Sequence, residues 1–455
     1  MSLIATDTFR IIIGLGQTGL SCARYLAGKG WPFAVVDTRT EPPLAAQFRS
    51  EFPDVELRCG ELNAALLRQA DELILSPGVA KSEIAIQEAV AAGVRLTGDI
   101  DLFCREAKAP IVAITGSNAK STVTTLVGEM ASAAGLKVGV GGNIGTPALD
   151  LLAPDLLAEG EADLYVLELS SFQLETLNEL RAAAATVLNV SPDHLDRYTG
   201  LTEYYQAKHR IYRGCSHAVT NRDDPLTAPL LSQGVKLSSF GLSRPDLMQF
   251  GLVMTDGELW LHKGLEPLMP ASEVKIPGQH NLANVLAALA LGDAVSIPMP
   301  AMLQAIKAFA GLPHRCQWVA EKQGVTYVND SKGTNVGATL AAIKGLGESL
   351  EGDARLVLIA GGVGKEQSFT DLSPVLGQYG RALVLIGEDA PLLDQQINSV
   401  PKIRATTLQQ AVEAAAAAAK PGDIVLLSPA CASFDMFNGY SDRGDQFIQQ
   451  VVALC

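Results

Sequence analysis

The sequence predicts an α/β protein built from three successive α/β domains. Three observations carry that expectation. Short apolar runs alternate with helical patterns along the chain, the signature of parallel strands joined by crossover helices. Glycine-rich turns stand where several of those strands give way to helices. The 455 residues are also about three domains' worth at roughly 150 residues each. Composition agrees, since 48% hydrophobic and 18% charged residues exclude disorder as the dominant state. Only 5% are aromatic, so the core must be built mainly from Ala, Val, Leu and Ile.

Taken in order, the first domain spans 1–98, with strands at Phe9–Ile13, Phe33–Val36 and Leu73–Ser76 and a helix from Thr18. The pattern loosens over Leu96–Pro110, which places a boundary near residue 98. The second domain, 99–311, has strands expected at 111–115, 136–140, 163–169, 185–190 and 217–220. Thr255-Asp256-Gly257 signals a hairpin within a small β excursion. Pro277-Gly278 then precedes a long apolar helix, Asn281–Leu291, and Gly311-Leu312-Pro313 marks the second boundary. The third domain, 312–455, alternates again, with strands at 324–329, 355–360, 382–386 and 423–427. Its alanine run, Ala411–Ala419, reads as a helix that packs in the core.

Charge and cysteine usage narrow the partners. A net charge of −14 without any Lys/Arg run repels phosphate backbones, so no nucleic-acid partner is expected. The longest apolar stretches fall short of the roughly 18 residues a membrane span needs, so no membrane insertion is expected. Met1–Arg10 lacks a basic segment followed by a small-residue cleavage site. Seven cysteines are scattered singly with no CxxC pair, which suits neither zinc nor a disulfide framework and points to a reducing cytoplasm.

Three motifs carry chemistry. Gly14-Leu15-Gly16-Gln17-Thr18-Gly19 follows a strand and opens a helix, and Asp37 ends the next strand. Glycines there let backbone N–H groups approach a diphosphate, so the first domain reads as Rossmann-like. Strand 111–115 runs into Gly116-Ser117-Asn118-Ala119-Lys120-Ser121-Thr122, the plan of a phosphate cradle with a cation and a hydroxyl for magnesium. The central domain therefore reads as a P-loop-type ATPase. Ala119 stands where glycine usually precedes the lysine, a change that bears on loop geometry, although alanine can still pass a backbone close to phosphate if φ is negative. Glu168 and the run Asn189-Val-Ser-Pro-Asp193-His194-Leu-Asp196 close neighbouring strands, where α/β sheets bind ligands and where oxygen groups suit magnesium with ATP. In the last third, Gly361-Gly362-Val363-Gly364-Lys365 looks like a second phosphate loop, but Glu366 follows the lysine. A lone cation at a strand end better suits a carboxylate ligand.

Taken together, GSNAKST, ELSSFQLE (168–175), LNVSPDHLDR (188–197), YxxAKxxIY (205–212), PGQHNLAN (277–284), LPHRCQ (312–317), NDSKGTNVGAT (329–339) and SPACASFD (428–435) resemble the Mur ligase family over essentially the whole chain. The third domain is then Rossmann-like as well. The resemblance implies an ATP-dependent ligase that joins D-glutamate to UDP-N-acetylmuramoyl-L-alanine through an acyl phosphate, in peptidoglycan precursor synthesis. It implies ATP and two magnesium ions as cofactors, small molecules as partners, and a cytoplasmic monomer.

Carried over residue by residue, the resemblance assigns the UDP-substrate to Leu15, Gly16, Gln17, Thr18, Asp37, Thr38, Arg39, Ser76, Gly78 and Asn143. ATP falls to Gly116, Ser117, Asn118, Ala119, Lys120, Ser121 and Thr122, with Asn281, Arg315 and Asp330 on the adenosine. D-glutamate is assigned to His194, Lys332, Thr334, Lys365, Ser433, Phe434 and Tyr440. Metal falls to Ser121, Glu168, His194 and Lys208, the last carbamylated, and the catalytic set is Lys120, Glu168, His194 and Lys208. Lys208 is expected on a helix capped by Thr202.

Competing readings keep parts of this pattern. A neighbouring ligase with another amino acid would share most motifs, whereas folylpolyglutamate synthetase would resemble the chain only from the ATP domain onward. An NAD-dependent oxidoreductase would account for Gly14–Gly19 with Asp37 and leave 111–455 unexplained. A nonenzymatic nucleotide sensor would not need Lys208 or the strand-end Asp and His.

Overall fold

Strand Arg10–Ile13 lies at the middle of a five-stranded, all-parallel sheet ordered Leu57–Cys59, Phe33–Asp37, Arg10–Ile13, Glu72–Leu75, Arg95–Thr97. The computed structural model describes residues 8–153, 161–178, 180–194, 197–276, 278–348 and 350–454. Asp196 and Pro277, both singled out in the sequence, lie outside them. The chain forms two compact units. The first comprises Met1–Leu188, Tyr204–Phe240 and Ala287–Ala305; the second comprises Asn189–Glu203, Gly241–Leu286 and Ile306–Cys455.

The first unit holds the five-stranded sheet and a second parallel array. That array runs Lys236–Phe240, His217–Asn221, Ala184–Val187, Ile111–Thr115, Leu164–Glu168, Val138–Gly142. Ile11 and Ile13 pack with Val36, Leu73 and Leu75 on one face of the five-stranded sheet. Ile111–Thr115 is buried at every position, as a strand covered on both faces must be.

The second unit contains an antiparallel meander, Gln249–Thr255, Glu258–Lys263 and Glu266–Pro270, whose first hairpin turns at Asp256-Gly257 as the sequence signals. Its six-stranded sheet runs Gln317–Lys322, Val325–Asn329, Ile424–Leu427, Leu356–Gly361, Gly380–Ile386, Lys402–Arg404, parallel except for the first pair. Side chains alternate faces along a strand. Leu356, Leu358 and Ala360 accordingly enter one core, and Val357 and Ile359 the other. The alanine-rich helix Leu408–Ala418 buries Ala411, Val412 and Ala415 in that second core, as a packing element.

Two local expectations need correction. The helix carrying Lys208 runs Leu201–His209, so Thr202 lies inside its first turn rather than capping it. Thr199 is the residue engaged there, its N–H and hydroxyl both donating to Glu203 Oε2 at 2.9 Å. The strand expected at 136–140 is Val138–Gly142, because the Leu136 N–H is used by the Ala131 carbonyl at the end of the preceding helix.

Candidate active site

The N-terminal loop shows why three glycines are spaced as they are. Gly14 has φ +96, a left-handed conformation that side chains avoid. A Cβ on Gly19 would stand 2.0 Å from the Gly14 carbonyl oxygen, whereas nothing lies within 4 Å of one on Gly16. Gly14 and Gly19 are thus fixed by packing, and Gly16 leaves its backbone open to a ligand. The Ser76 hydroxyl donates to the Gly14 carbonyl at 2.8 Å and holds the turn shut.

Asp37 organises this loop. Its carboxylate accepts the Leu15 N–H at 2.6 Å, the Arg39 N–H at 2.8 Å, and Arg39 Nε and Nη2 at 2.9 and 2.7 Å. Burial pushes the carboxyl up, but the Arg39 and Leu15 donors outweigh it and hold the group below its usual range. Four hydrogen bonds use the four acceptor sites of a carboxylate, so Asp37 has none left for ribose hydroxyls. That removes the feature on which the NAD reading rests.

A cleft of about 500 Å³ opens beside the loop. Of the residues assigned to the UDP-substrate, Gly16, Gln17, Thr18, Asp37, Thr38, Arg39, Ser76, Gly78 and Asn143 line it. Leu15 is buried and does not line it; its N–H donates to Asp37. Gln173 also lines the cleft and was missed. Its Oε1 accepts from the Ser170 N–H and hydroxyl in a capping box, and its Nε2 donates to Asp99 Oδ2 at 3.0 Å. Asp99 is fully buried, and that burial pushes its carboxyl up to about 6.

The phosphate loop follows strand Ile111–Thr115 and feeds helix Lys120–Ala133, whose N-terminus offers backbone N–H groups and the positive end of the helix dipole to an anion. Lys120 Nζ donates to the carbonyls of Gly116 and Ser117 at 2.8 and 3.0 Å. Lys208, only 1% exposed, donates to the same Gly116 carbonyl at 2.9 Å and lies 4.5 Å from the Tyr204 ring centroid. The Ser117 and Tyr204 hydroxyls are hydrogen-bonded to each other at 3.1 Å. The fold thus brings both predicted lysines to one carbonyl of the loop. The condition of a negative φ at position 119 is not met, since Ala119 caps the helix at φ +66. The left-handed bend turns the chain from strand to helix, and alanine bears it at a cost in strain.

Glu168 ends strand Leu164–Glu168 and is 3% exposed. Its Oε1 accepts from Asn143 Nδ2 at 2.8 Å, while Oε2 is buried without a partner. The Asn143 N–H bonds the Glu168 carbonyl at 2.8 Å, and Gly142, at φ +102, turns tightly enough that a Cβ would lie 2.5 Å from that oxygen. Asn143 therefore links the acid to the cleft. Among the described residues no group of three His, Cys, Asp or Glu side chains could hold a metal ion alone.

In the second unit Asp193 is a hub. It accepts Lys365 Nζ at 3.0 Å, Asn335 Nδ2 at 3.1 Å and the His194 N–H at 3.0 Å, with the His194 ring at 3.6 Å. Lys365 and His194 both have left-handed backbones, at φ +53 and +56. Strained positions of this kind gather at functional sites. The helix after Lys365 begins only at Leu372, so this loop does not run directly into a helix as 116–120 does.

Asp330 accepts the Ser428 hydroxyl at 2.7 Å and the Cys316 N–H at 3.1 Å, and burial pushes its carboxyl up to about 6 against these donors. Lys332 Nζ stands 3.7 Å from the Tyr440 ring centroid. Ser433 is buried and Phe434 is 78% exposed. Thr334 sits in the same Asp330–Asn335 loop. Asn281 accepts from Asn284 Nδ2 at 3.0 Å, and Arg315 adjoins the buried His314.

A parallel-sheet unit with a cleft of about 500 Å³ beside a glycine loop, a lysine-bearing phosphate loop and an acid at a neighbouring strand end defines a nucleotide-handling α/β enzyme. The chain belongs to the Mur ligase family. Family models match at 8–98 (Mur ligase MurD-like, N-terminal domain), 114–292 (Mur ligase middle domain) and 314–431 (Mur ligase, glutamate ligase domain). It is 58% identical over 455 residues, all of both chains, to the UDP-N-acetylmuramoylalanine–D-glutamate ligase of Pseudomonas aeruginosa. A protein of the same name from Marinobacter nauticus is 54% identical over 448 residues, 98% of each chain. Among solved structures, UDP-N-acetylmuramate-alanine ligase MurC of Thermotoga maritima shares the fold, with TM-score 0.60 and 18% identity over 98% of this chain and all of that one. No helix among the described residues is long and apolar enough to cross a membrane.

Proposed function

We propose that the chain joins D-glutamate to UDP-N-acetylmuramoyl-L-alanine at the expense of ATP, a step toward a peptidoglycan precursor. The observation that carries this reading is 58% identity over the full length to a relative of that name. The cleft at 14–19 and the phosphate loop at 116–122 support it independently.

A free carboxylate is a poor electrophile, so activation by ATP is needed. The carboxylate takes the γ-phosphoryl group, and the neutral amine of D-glutamate attacks the acyl phosphate. The tetrahedral intermediate collapses to amide, with ADP and phosphate as the other products. Catalysis is then mainly positioning and neutralisation of crowded negative charge. The cleft holds the UDP moiety, with Asn143 toward the muramoyl part. Lys120 and the helix N-terminus behind it hold ATP phosphates, and Asn281, Arg315 and Asp330 hold the adenosine. His194, Lys332, Thr334, Lys365, Ser433, Phe434 and Tyr440 surround D-glutamate.

Magnesium fits the residues present. Glu168 Oε2 is a buried oxygen without a partner, as a cation ligand would be before its ion arrives. Magnesium usually relies on one or two protein oxygens plus substrate phosphates rather than on a closed protein cage, and the ions would do so here. Ser121 and Glu168 would hold one ion, and His194 with carbamylated Lys208 a second. When bound, magnesium neutralises phosphate charge. Carbamylation joins the neutral Lys208 amine to CO₂ with release of a proton, and the remaining N–H can still donate to the Gly116 carbonyl. Lys208→Ala should be nearly inactive and partly rescued by small carboxylates, whereas Lys208→Arg should not be rescued. A well-resolved map of the metal-bound enzyme showing a bare amine at Lys208 would sink the modification.

We further take the domains as 1–98, 99–311 and 312–455, and the enzyme as a cytoplasmic monomer. The whole reading is tested by phosphate release across a panel of UDP-linked acceptors and amino acids. Release that requires both D-glutamate and UDP-N-acetylmuramoyl-L-alanine supports it. Turnover with another amino acid, or with a folate acceptor, overturns it.

A further inference from the structure

Helix Tyr440–Ala453 carries a charge that the mechanism above leaves unused. Arg443 is 0% exposed and heads the largest fully buried side chains. Its Nε donates to Ser331 Oγ at 3.0 Å and its Nη2 to the Ser331 carbonyl at 2.8 Å. Both terminal nitrogens donate to the Cys431 carbonyl at 3.2 Å. All these acceptors are neutral oxygens, and no carboxylate is among them. Burial pulls the guanidinium down to about 10, against the opposing pull of Cys431, Asp435 and Asp330, so it stays charged at neutral pH. A buried cation without a hydrogen-bonded counter-ion is expensive and calls for a compensating role.

The clamped residues point to that role. Ser331 directly precedes Lys332, and Cys431 stands two residues before Ser433. The Ser331 hydroxyl also donates to the Tyr440 carbonyl at 2.7 Å, and the Tyr440 ring covers the Lys332 ammonium at 3.7 Å. One guanidinium therefore ties together two loops and a helix that carry the residues assigned to the amino acid. A planar fork can do this where a lysine ammonium cannot.

We propose that Arg443 is a positioning residue for the amino-acid substrate: it locks loops 330–334 and 428–433 together, and its charge, hydrogen-bonded to no carboxylate, favours an amino acid with a second carboxylate. The inference rests on the D-glutamate reading and deepens it.

The test uses the full-length enzyme and phosphate release, with KM measured separately for D-glutamate, ATP and the UDP-substrate. Arg443→Met should raise the D-glutamate KM about tenfold, the size expected for losing charge-assisted hydrogen bonds, with the other two changed less than about twofold. Arg443→Lys keeps the charge without the fork and should raise it about threefold. Ser331→Ala, a smaller change to the core, should act in the same direction. Preference for D-glutamate over D-glutamine should narrow in Arg443→Met and hold in Ser331→Ala. A common rise in all three KM values, or no rise for D-glutamate, would overturn the proposal. If Arg443→Met does not fold, the Arg443→Lys and Ser331→Ala variants decide by the split between the D-glutamate KM and the other two: a rise confined to D-glutamate supports the proposal, and no rise or a common rise overturns it. Wild-type turnover that needs no D-glutamate would instead sink the functional reading.

Discussion

Loops 14–19 and 116–122 both join a buried parallel strand to a helix through glycines, yet they are built on different constraints. In the first, glycine is demanded by backbone packing, since a Cβ on Gly19 would lie 2.0 Å from the Gly14 oxygen. In the second, the sharpest bend falls on Ala119 at φ +66, where the conformation is strained but sterically reachable. The first loop contains no lysine, and its nearby Arg39 is pinned to Asp37. The second gathers Lys120 and Lys208 on the Gly116 carbonyl. A glycine motif thus reports the path of the chain, and the neighbouring charges report what the path is for.

The largest way to sharpen this contrast is Lys120→Ala. It should lower turnover by about a thousandfold while leaving UDP-substrate affinity within about twofold, because the cleft lies at the other loop. Binding measured by calorimetry beside phosphate release checks it, and near-normal turnover would remove Lys120 from the chemistry. Glu168→Ala should behave in the same way.

Next in size is Gly19→Ala, which should destabilise the protein by about 2–4 kcal/mol by forcing the loop apart. Gly16→Ala, with open space around it, should unfold at nearly the wild-type denaturant midpoint and lose UDP-substrate affinity instead. Equal stability losses in both would erase the distinction between packing and binding glycines.

Two acids extend the comparison to pH. Asp37 has a depressed pKa, so its contribution is present above the unfolded value near 3.9 and is lost as pH falls through the folded one. Asp330 is the opposite case, raised to about 6. Between about pH 4 and 6 its unfolded form ionises while the folded form keeps its proton, so stability falls as pH rises through that window. Asp330→Asn should flatten the fall, and Asp37→Asn should leave it intact while flattening the loss below about pH 4. Urea midpoints from pH 3 to 7 would show whether the two windows separate.

The smallest expected effect is Ala119→Gly. Relief of the left-handed strain is worth about 1 kcal/mol, partly offset by the greater freedom of glycine in the unfolded chain. A midpoint that does not rise at all would mean that loop 116–122 relaxes elsewhere.

Much of the fold was legible because buried parallel strands leave continuous apolar runs. Ile111–Thr115 was placed to the residue, and the Asp256-Gly257 hairpin was read from its turn. The strands that escaped are sheet edges: Leu57–Cys59, Arg95–Thr97 and Lys402–Arg404 are three residues long, too short to show a period, and Gln317–Lys322, though longer, is only partly buried and leaves no apolar run. Within the site, residues whose type and spacing carry chemistry were assigned roles and those that act by contact were not, even where, like Asn335 and Gln173, they lie inside a recognised run. Asn335 binds Asp193 across 142 positions, Arg443 binds Ser331 across 112, and Gln173 reaches Asp99 across 74.

The sequence by itself determined the alternation of strands and helices, the two glycine loops and the cationic phosphate loop, because these rest on local periodicity and on residue types at fixed spacing. Only the tertiary structure decided that Asp37 is saturated by Arg39, that Lys120 and Lys208 share the Gly116 carbonyl, that Glu168 keeps one oxygen unpartnered, and that Ala119 is left-handed. Hydrogen-bond saturation, burial and backbone strain depend on which distant groups the fold brings within about 3 Å, and no local pattern encodes that distance.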